Sequence, residues 1–310
     1  MADGSTPRRK SSGRPRGYIA NYNPQARTLD LLSKVAAVLD EYQDHWPLTV
    51  RQVFYRLVGA HGYDKTEAGY KTLCHHVVNA RRGGTLSFDA IRDDGVTTVR
   101  MDHYADADAF VTDYRRRAKS FRRDLMAAQP YHAEVWCEAA GMIHQLADVA
   151  HRYSIKVYSS SGFDSLTAKK DIADRICATG KPAIILHLGD YDPSGASIFE
   201  SAAEDVAAFV EADRANALVD VEFRRIALTE RQVAEYGLPT APAKASDSRS
   251  KAWIGETCQL EALSPTQIAE ILDRAIWWLL DEDVLADSEK AETQDRIDLT
   301  RLLLTGPSNG

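Results

Sequence analysis

The chain has no apolar run approaching the roughly 18 residues of a membrane-spanning helix. Its densest apolar patch, Ala275-Ile-Trp-Trp-Leu-Leu280, is short and flanked by acids. No signal peptide is expected from its opening residues, which are polar and basic. Cysteine is sparse: Cys74, Cys137, Cys177 and Cys258 are scattered, with no paired spacing of the kind zinc sites use. Reduced thiols in a cytoplasmic protein are the expectation. No internal repeat is found. A hydrophobic share of 44 % in 310 residues leaves ample material for one large domain or two ordinary ones.

An overall basic excess is also missing. The formal net charge is −7, which at first argues against a nucleic-acid partner. The distribution matters more than the sum, because phosphate binding responds to local patches. Arg8, Arg9, Lys10, Arg14 and Arg16 face a single acid, Asp3, in the first twenty residues. A second cluster runs from Tyr114 to Arg123, where Arg115, Arg116, Arg117, Lys119, Arg122 and Arg123 put six cations in ten residues. Such runs bind phosphate or simply form solvated faces.

Residues 1–27 are rich in Ser, Gly, Pro and Arg and read as a disordered basic arm. Residues 28–128 read as a mostly helical domain with a basic helical linker over 103–127. Leu29, Leu32, Val35, Ala36 and Leu39 have helical spacing. Thr49-Val-Arg-Gln52 is a capping box that starts a helix at Val50, with Val53, Phe54, Leu57 and Val58 on its apolar stripe. At about 100° per residue, Tyr55 falls roughly 130° from the centre of that stripe, with Arg51 one turn before it. The spacing therefore predicts an outward hydroxyl beside a cation, although a half-exposed packing tyrosine fits the same pattern. A third helix is expected over Glu67–Arg82, stopped by Gly83-Gly84. Thr85–Ile91 and Val96–Met101 then read as a hairpin, which completes the outline of a winged helix.

Beyond Gln129-Pro130 the period changes. Strands are expected at 132–138, 155–159, 183–188 and 219–226, separated by helices. That alternation implies an α/β fold with a parallel sheet over residues 129–228. Residues 229–310 form a C-terminal extension, with a capped helix from Ser264-Pro265. The third strand, Ile184-Ile-Leu-His-Leu-Gly189, ends in Asp190 and Asp192. Residues i and i+2 share a face, so both carboxylates can meet at the carboxyl edge, where open α/β sheets bind ligands. Glu138 ends the first strand and can join them. Clustered carboxylates repel unless a cation lies among them, and magnesium prefers oxygen ligands. An Asp-rich turn with Asp192 capping the next helix is the alternative. Ser194 and Gly195 at that helix start could add N–H donors for a phosphate.

These residues resemble a family. Glu138 followed by Asp190-Tyr-Asp192-Pro-Ser-Gly195 resembles a Toprim domain, whose glutamate and Asp-x-Asp pair bind metal. Arg51-Gln-Val-Phe-Tyr55-Arg resembles the nucleophile helix of the topoisomerase VI A subunit and the meiotic double-strand-break transesterase, which lies in a winged-helix domain before Toprim. Ser161-Gly-Phe-Asp-Ser-Leu166 and Leu260-Glu-Ala-Leu263 resemble further segments of that family. The resemblance spans roughly residues 28–282 and is nearest to compact, mini-A forms from phages and plasmids. It implies magnesium-dependent cleavage of double-stranded DNA, with Tyr55 as nucleophile, Arg51 assisting, and Glu138, Asp190 and Asp192 holding the ion. It also implies a nucleoid-associated homodimer, in which Tyr55 of one protomer meets its partner's acids, and a separate B-type ATPase subunit. The chain departs from the pattern where Ala139-Ala140 follow Glu138, since the family often has a basic residue there. The alternatives are a Toprim endonuclease that uses water, and a DNA-binding protein without catalysis.

Overall fold

The computed structural model describes residues 18–92, 103–160, 166–214, 219–243, 253 and 255–304. The chain forms two compact units, Met1–Arg92 and Asp93–Gly310. The basic arm with Arg8, Arg9 and Arg14, the second hairpin strand at 96–101, and the segment 161–165 lie outside the described residues.

In the first unit, α1 (Ala26–Glu41) is followed by β1 (Leu48–Thr49), α2 (Val50–His61), α3 (Glu67–Arg82) and β2 (Ile91–Arg92). The capping box forms as expected: Gln52 N donates to Thr49 Oγ1 at 3.0 Å, and Thr49 N donates to Gln52 Oε1 at 2.8 Å. Two orphan donors at the start of α2 are thereby satisfied. Gly84 ends α3 with φ of 73°, a left-handed conformation that favours glycine. The strand expected over 85–91 is reduced to Ile91–Arg92, which pairs parallel with β1. Upstream of it, the backbone N–H groups of Thr85 and Leu86 fold back onto the carbonyl of Ala80 at the end of α3.

The second unit opens with α4 (Ala107–Lys119), which ends well short of the expected 127. The backbone explains the stop. Arg123 N donates to Glu292 Oε2 at 2.7 Å, and Leu125 N donates to Ser154 Oγ at 3.1 Å, so these donors serve tertiary contacts instead of a helix. The basic segment therefore belongs to this unit, packed on the long helix near the C-terminus.

The sheet comprises β3 (His132–Cys137), β4 (Lys156–Ser159), β5 (Ala183–Leu188) and β6 (Val221–Ala227), in the order β4-β3-β5-β6 and all parallel. Between them run α5 (Ile143–Ala150), α6 (Leu166–Thr179) and α7 (Pro193–Asp213). The chain steps from β3 to β4 in one direction, then returns past β3 to β5 and β6. Right-handed crossovers place connections of opposite direction on opposite faces. Accordingly α6 and α7 share a core with Trp136, Ile185 and Val219. The remainder is α8 (Glu230–Glu235), the short antiparallel pair β7 (Ala241–Pro242) and β8 (Glu256–Thr257), α9 (Pro265–Trp277), which packs on α5, and α10 (Glu282–Leu304). Among the described residues, no helix is long and apolar enough to cross a membrane.

One ion pair is built into the α6-side face. Glu134 is fully buried and accepts a fork from Arg175, at 2.7 Å from Nε and 2.9 Å from Nη2. Trp136 Nε1 at 3.0 Å and His132 Nε2 at 3.1 Å complete its shell. Burial alone would push this carboxyl up, but Arg175 first, then His132 and Trp136, hold it down at about 2.

Candidate functional site

Strand order decides where a ligand can enter. Because successive connections leave β3 and β5 in opposite directions, the crevice beyond their carboxyl ends is the switch point of the sheet. Glu138 follows β3 and Asp190 follows β5, so both acids fall at that crevice. The backbone joins them: Glu138 N donates to Leu188 O at 3.0 Å, and Asp190 N donates to Glu138 Oε2 at 3.3 Å.

Glycine makes the approach possible. A Cβ on Gly189 would lie 2.9 Å from Glu138 Oε2 and 2.7 Å from His187 Cε1. A Cβ on Gly195 would lie 2.7 Å from Glu138 Oε2, 3.1 Å from Asp190 O and 3.3 Å from Asp192 Oδ1. Three oxygens thus surround one point that any larger residue at 195 would fill. Desolvation first, then the charges of Asp190 and Asp192, raise the Glu138 carboxyl above its ordinary range. This is the electrostatic signature of acids crowded together with partial access to water.

The aspartates are also working as structural caps. Asp192 Oδ1 accepts from Gly195 N at 2.7 Å, the side-chain cap of α7, which is what the Asp-rich-turn reading expects. The Gly195 N–H, expected as a phosphate donor, is thereby engaged. Asp190 Oδ1 accepts from Leu260 N at 2.8 Å, so the Leu260–Leu263 stretch is tied to the acid loop. Reciprocal backbone bonds between Tyr191 and Cys258, at 2.8 and 2.9 Å, secure the same loop. Glu261, only 9 % exposed, lies in this segment and adds its charge to those of Asp190 and Glu138 around the Cys137 thiol, which burial pushes far up.

Among the described residues, no group of three or more His, Cys, Asp or Glu side chains is arranged to hold a metal ion. Asp192 and Asp190 each have one carboxylate oxygen engaged by a backbone N–H. A carboxylate has two oxygens and about four acceptor positions, so a cap does not exhaust it. The donor set, all oxygen and packed closely on one crevice against Gly195, fits a hard cation in its chemistry.

Two residues that the sequence did not single out complete the site. Arg225 on β6 donates to Leu228 O and Gly189 O, each at 3.2 Å, and to Asp190 O. His187, 2 % exposed, stacks on Phe199 with ring centroids 3.9 Å apart, and its Nδ1 has no hydrogen-bond partner. Burial, then the charge of Arg225, lowers this imidazole to about 3, so it is neutral. Its position inside a continuous apolar run hides it in the sequence. Arg225 is likewise hidden, because an arginine on an edge strand reads as solvated.

Tyr55 does not occupy the outward position expected of it. It is 5 % exposed and packs edge-on against Phe54 at 5.5 Å. The cation over its ring is Lys65, 5.9 Å from the centroid, whereas Arg51 lies over Tyr70 at 5.4 Å. A single apolar stripe assumes one packing partner. Instead α2 packs against both α1 and α3, so more than one of its flanks is covered.

The second basic cluster is largely committed within the fold. Arg116 and Arg117 pair with Asp113, Arg122 with Glu292, and Arg123 with Asp295, while Arg115 Nε donates to Leu303 O at 3.1 Å. Arg116 and Arg117 remain 80 % and 54 % exposed at their side chains, so they stay accessible to a phosphate. No family model matches the chain, and neither a curated protein nor a solved structure matches it.

Proposed function

We propose that the chain is a topoisomerase VI A-like enzyme that cuts double-stranded DNA by magnesium-dependent transesterification. One observation carries the reading: Glu138 meets the Asp190–Asp192 loop at the switch point of the parallel sheet. Glu138, Asp190 and Asp192 would hold the cation, which supplies charge stabilisation to the phosphate oxygens and to the leaving oxygen. The Tyr55 hydroxyl attacks phosphorus and gives up its proton as the P–O3′ bond breaks and the 3′ oxygen takes one up. The 5′ end stays on Tyr55 as a phosphotyrosyl diester, so the bond energy is retained for resealing. Arg51 would assist the phenol, whose ordinary pKa is near 10. Arg115–Arg117, Arg122 and Arg123, with Arg8, Arg9 and Arg14, would bind the duplex backbone. A homodimer, a B-type ATPase partner, and residence with the DNA in the cytoplasm belong to the same proposal, as does the winged-helix and Toprim arrangement.

The burial of Tyr55 favours a second reading, in which the acids and the cation activate water and Tyr55 only packs. Both are tested by incubating labelled supercoiled DNA with the full chain and magnesium, then quenching with detergent. The first reading expects a protein-linked 5′ end that is lost in Tyr55→Phe and in Asp192→Asn. Asn is chosen because it also caps helices, so the start of α7 survives. Free ends from an active Tyr55→Phe carry the second reading instead. Intact DNA under all magnesium conditions overturns both.

A further inference from the structure

We infer that Arg225 is a positioning residue for the proposed cation site, gripping the turn that carries Asp190 and Asp192 and holding it against Glu138. The inference rests on the cation reading above and deepens it. A guanidinium presents donors in a rigid planar fork, and here that fork spans carbonyls of two segments. Nη2 donates to Gly189 O and Asp190 O in the turn after β5, and Nε donates to Leu228 O beyond β6. The backbone closes the same junction: Gly189 N donates to Ala227 O, and Leu228 N to Gly189 O, both at 2.8 Å.

A register shift aims the side chain. His187 pairs with Arg225, but the next residue, Leu188, pairs with Ala227, so Ile226 is an extra residue on β6. Such bulges bend a strand and redirect a side chain, often beside a site. Charge supports the same role. Arg225 is half-buried, which disfavours its cation, while Glu138, Asp190, Asp192 and Glu200 favour it. Its hydrogen bonds go to carbonyls, so it offsets the crowded carboxylates from behind without bonding the oxygens a metal would take. No cation comes from the end of β3 itself, where Ala139 and Ala140 follow Glu138.

The test measures Mn²⁺ binding to the full chain by electron paramagnetic resonance, for wild type, Arg225→Gln, Arg225→Lys and the neighbouring Arg224→Gln. Arg224 is a fair control because its fork goes to the exposed Glu222. Loss of an outer-shell partner typically weakens metal binding by about 10- to 100-fold. That loss is expected in both Arg225 variants, because a lysine ammonium cannot reproduce the fork, while Arg224→Gln binds as wild type does. DNA cleavage by Arg225→Gln is expected to recover at high Mn²⁺, a shift in metal requirement that general damage to the fold would not give. Binding within about twofold of wild type in a folded Arg225→Gln, or in Arg225→Lys if the glutamine variant fails to fold, overturns the role of Arg225 alone. Cleavage lost at every Mn²⁺ concentration also overturns it, in favour of direct substrate contact. Absence of Mn²⁺ binding in the wild type overturns the cation reading beneath it.

Discussion

The backbone N–H of Asp190 donates to Glu138 Oε2 at 3.3 Å, joining the residue after β5 to the acid that ends β3. These two positions are 52 residues apart in the chain. Parallel pairing of β3 with β5 brings them to the same edge, and Gly189 and Gly195 leave the space in which the Glu138 carboxylate lies. Burial first, then the crowding by Asp190 and Asp192, raise the Glu138 carboxyl, while the Asp190 N–H and Arg225 pull the other way.

Gly59 and Gly195, two helix glycines with opposite surroundings, should respond with opposite sign. Ala at 59 meets nothing within 4 Å, so Gly59→Ala should stabilise the first unit by about 1 kcal/mol through helix propensity. Ala at 195 gains the same propensity but presses on Glu138 Oε2 and Asp190 O. Overpacking costs about 1–3 kcal/mol, so the net stability change in Gly195→Ala should be a loss on the order of 1 kcal/mol. The larger effect should be weaker Mn²⁺ binding, because the displaced atom belongs to the proposed site. Denaturant titration and metal titration of both variants check this. Wild-type Mn²⁺ affinity in Gly195→Ala would show that the close packing of Glu138 on Gly195 does not matter for a cation.

Glu134 gives the fold an acid-labile element. Its carboxyl is held at about 2 in the folded chain, below its ordinary 4.5. A folded-state value below the unfolded one favours the folded state above the unfolded pKa. The contribution is therefore complete above about pH 4.5 and is lost as pH falls from there toward 2. It amounts to roughly 3 kcal/mol. Removing Arg175 leaves the buried Glu134 charge unpaired, which typically costs about 3–5 kcal/mol at neutral pH. Melting curves of Arg175→Met from pH 7 to pH 3 should start lower and lose the wild-type slope between 4.5 and 3. A slope unchanged by the substitution would show that Glu134 does not carry this acid sensitivity.

The arginine cluster should divide into stabilising and DNA-facing members. Glu292, 4 % exposed, accepts from Arg123 N and pairs with Arg122 and Arg296. Glu292→Ala takes the acceptor from the part-buried Arg123 N–H and the partner from the Arg122 and Arg296 side chains, at about 1 kcal/mol. Arg116 is 80 % exposed, and a surface pair such as Arg116–Asp113 is worth at most about 1 kcal/mol. Arg116→Ala should therefore melt like wild type while its DNA binding weakens and its salt slope falls by about 1. Fluorescence anisotropy over a range of salt separates the two. A salt slope unaltered in Arg116→Ala would remove Arg116 from the DNA surface.

The sequence by itself determined the parallel sheet's strands, several helix starts and the acids. The capping box at Thr49 and Gln52, the four strand positions, and Asp190 and Asp192 beyond a buried strand all follow from periodicity and local hydrogen-bonding chemistry, which act over a few residues. What only the tertiary structure decided depends on distant neighbours. Tyr55 is buried on a helix that packs against two others, which one apolar stripe cannot report. Basic helix α4 stops at Lys119 because backbone donors beyond it find Glu292 and Ser154. Arg225 reaches the acid loop because strand order and a one-residue bulge carry it there, so its role follows from three-dimensional proximity that spacing along the chain does not encode.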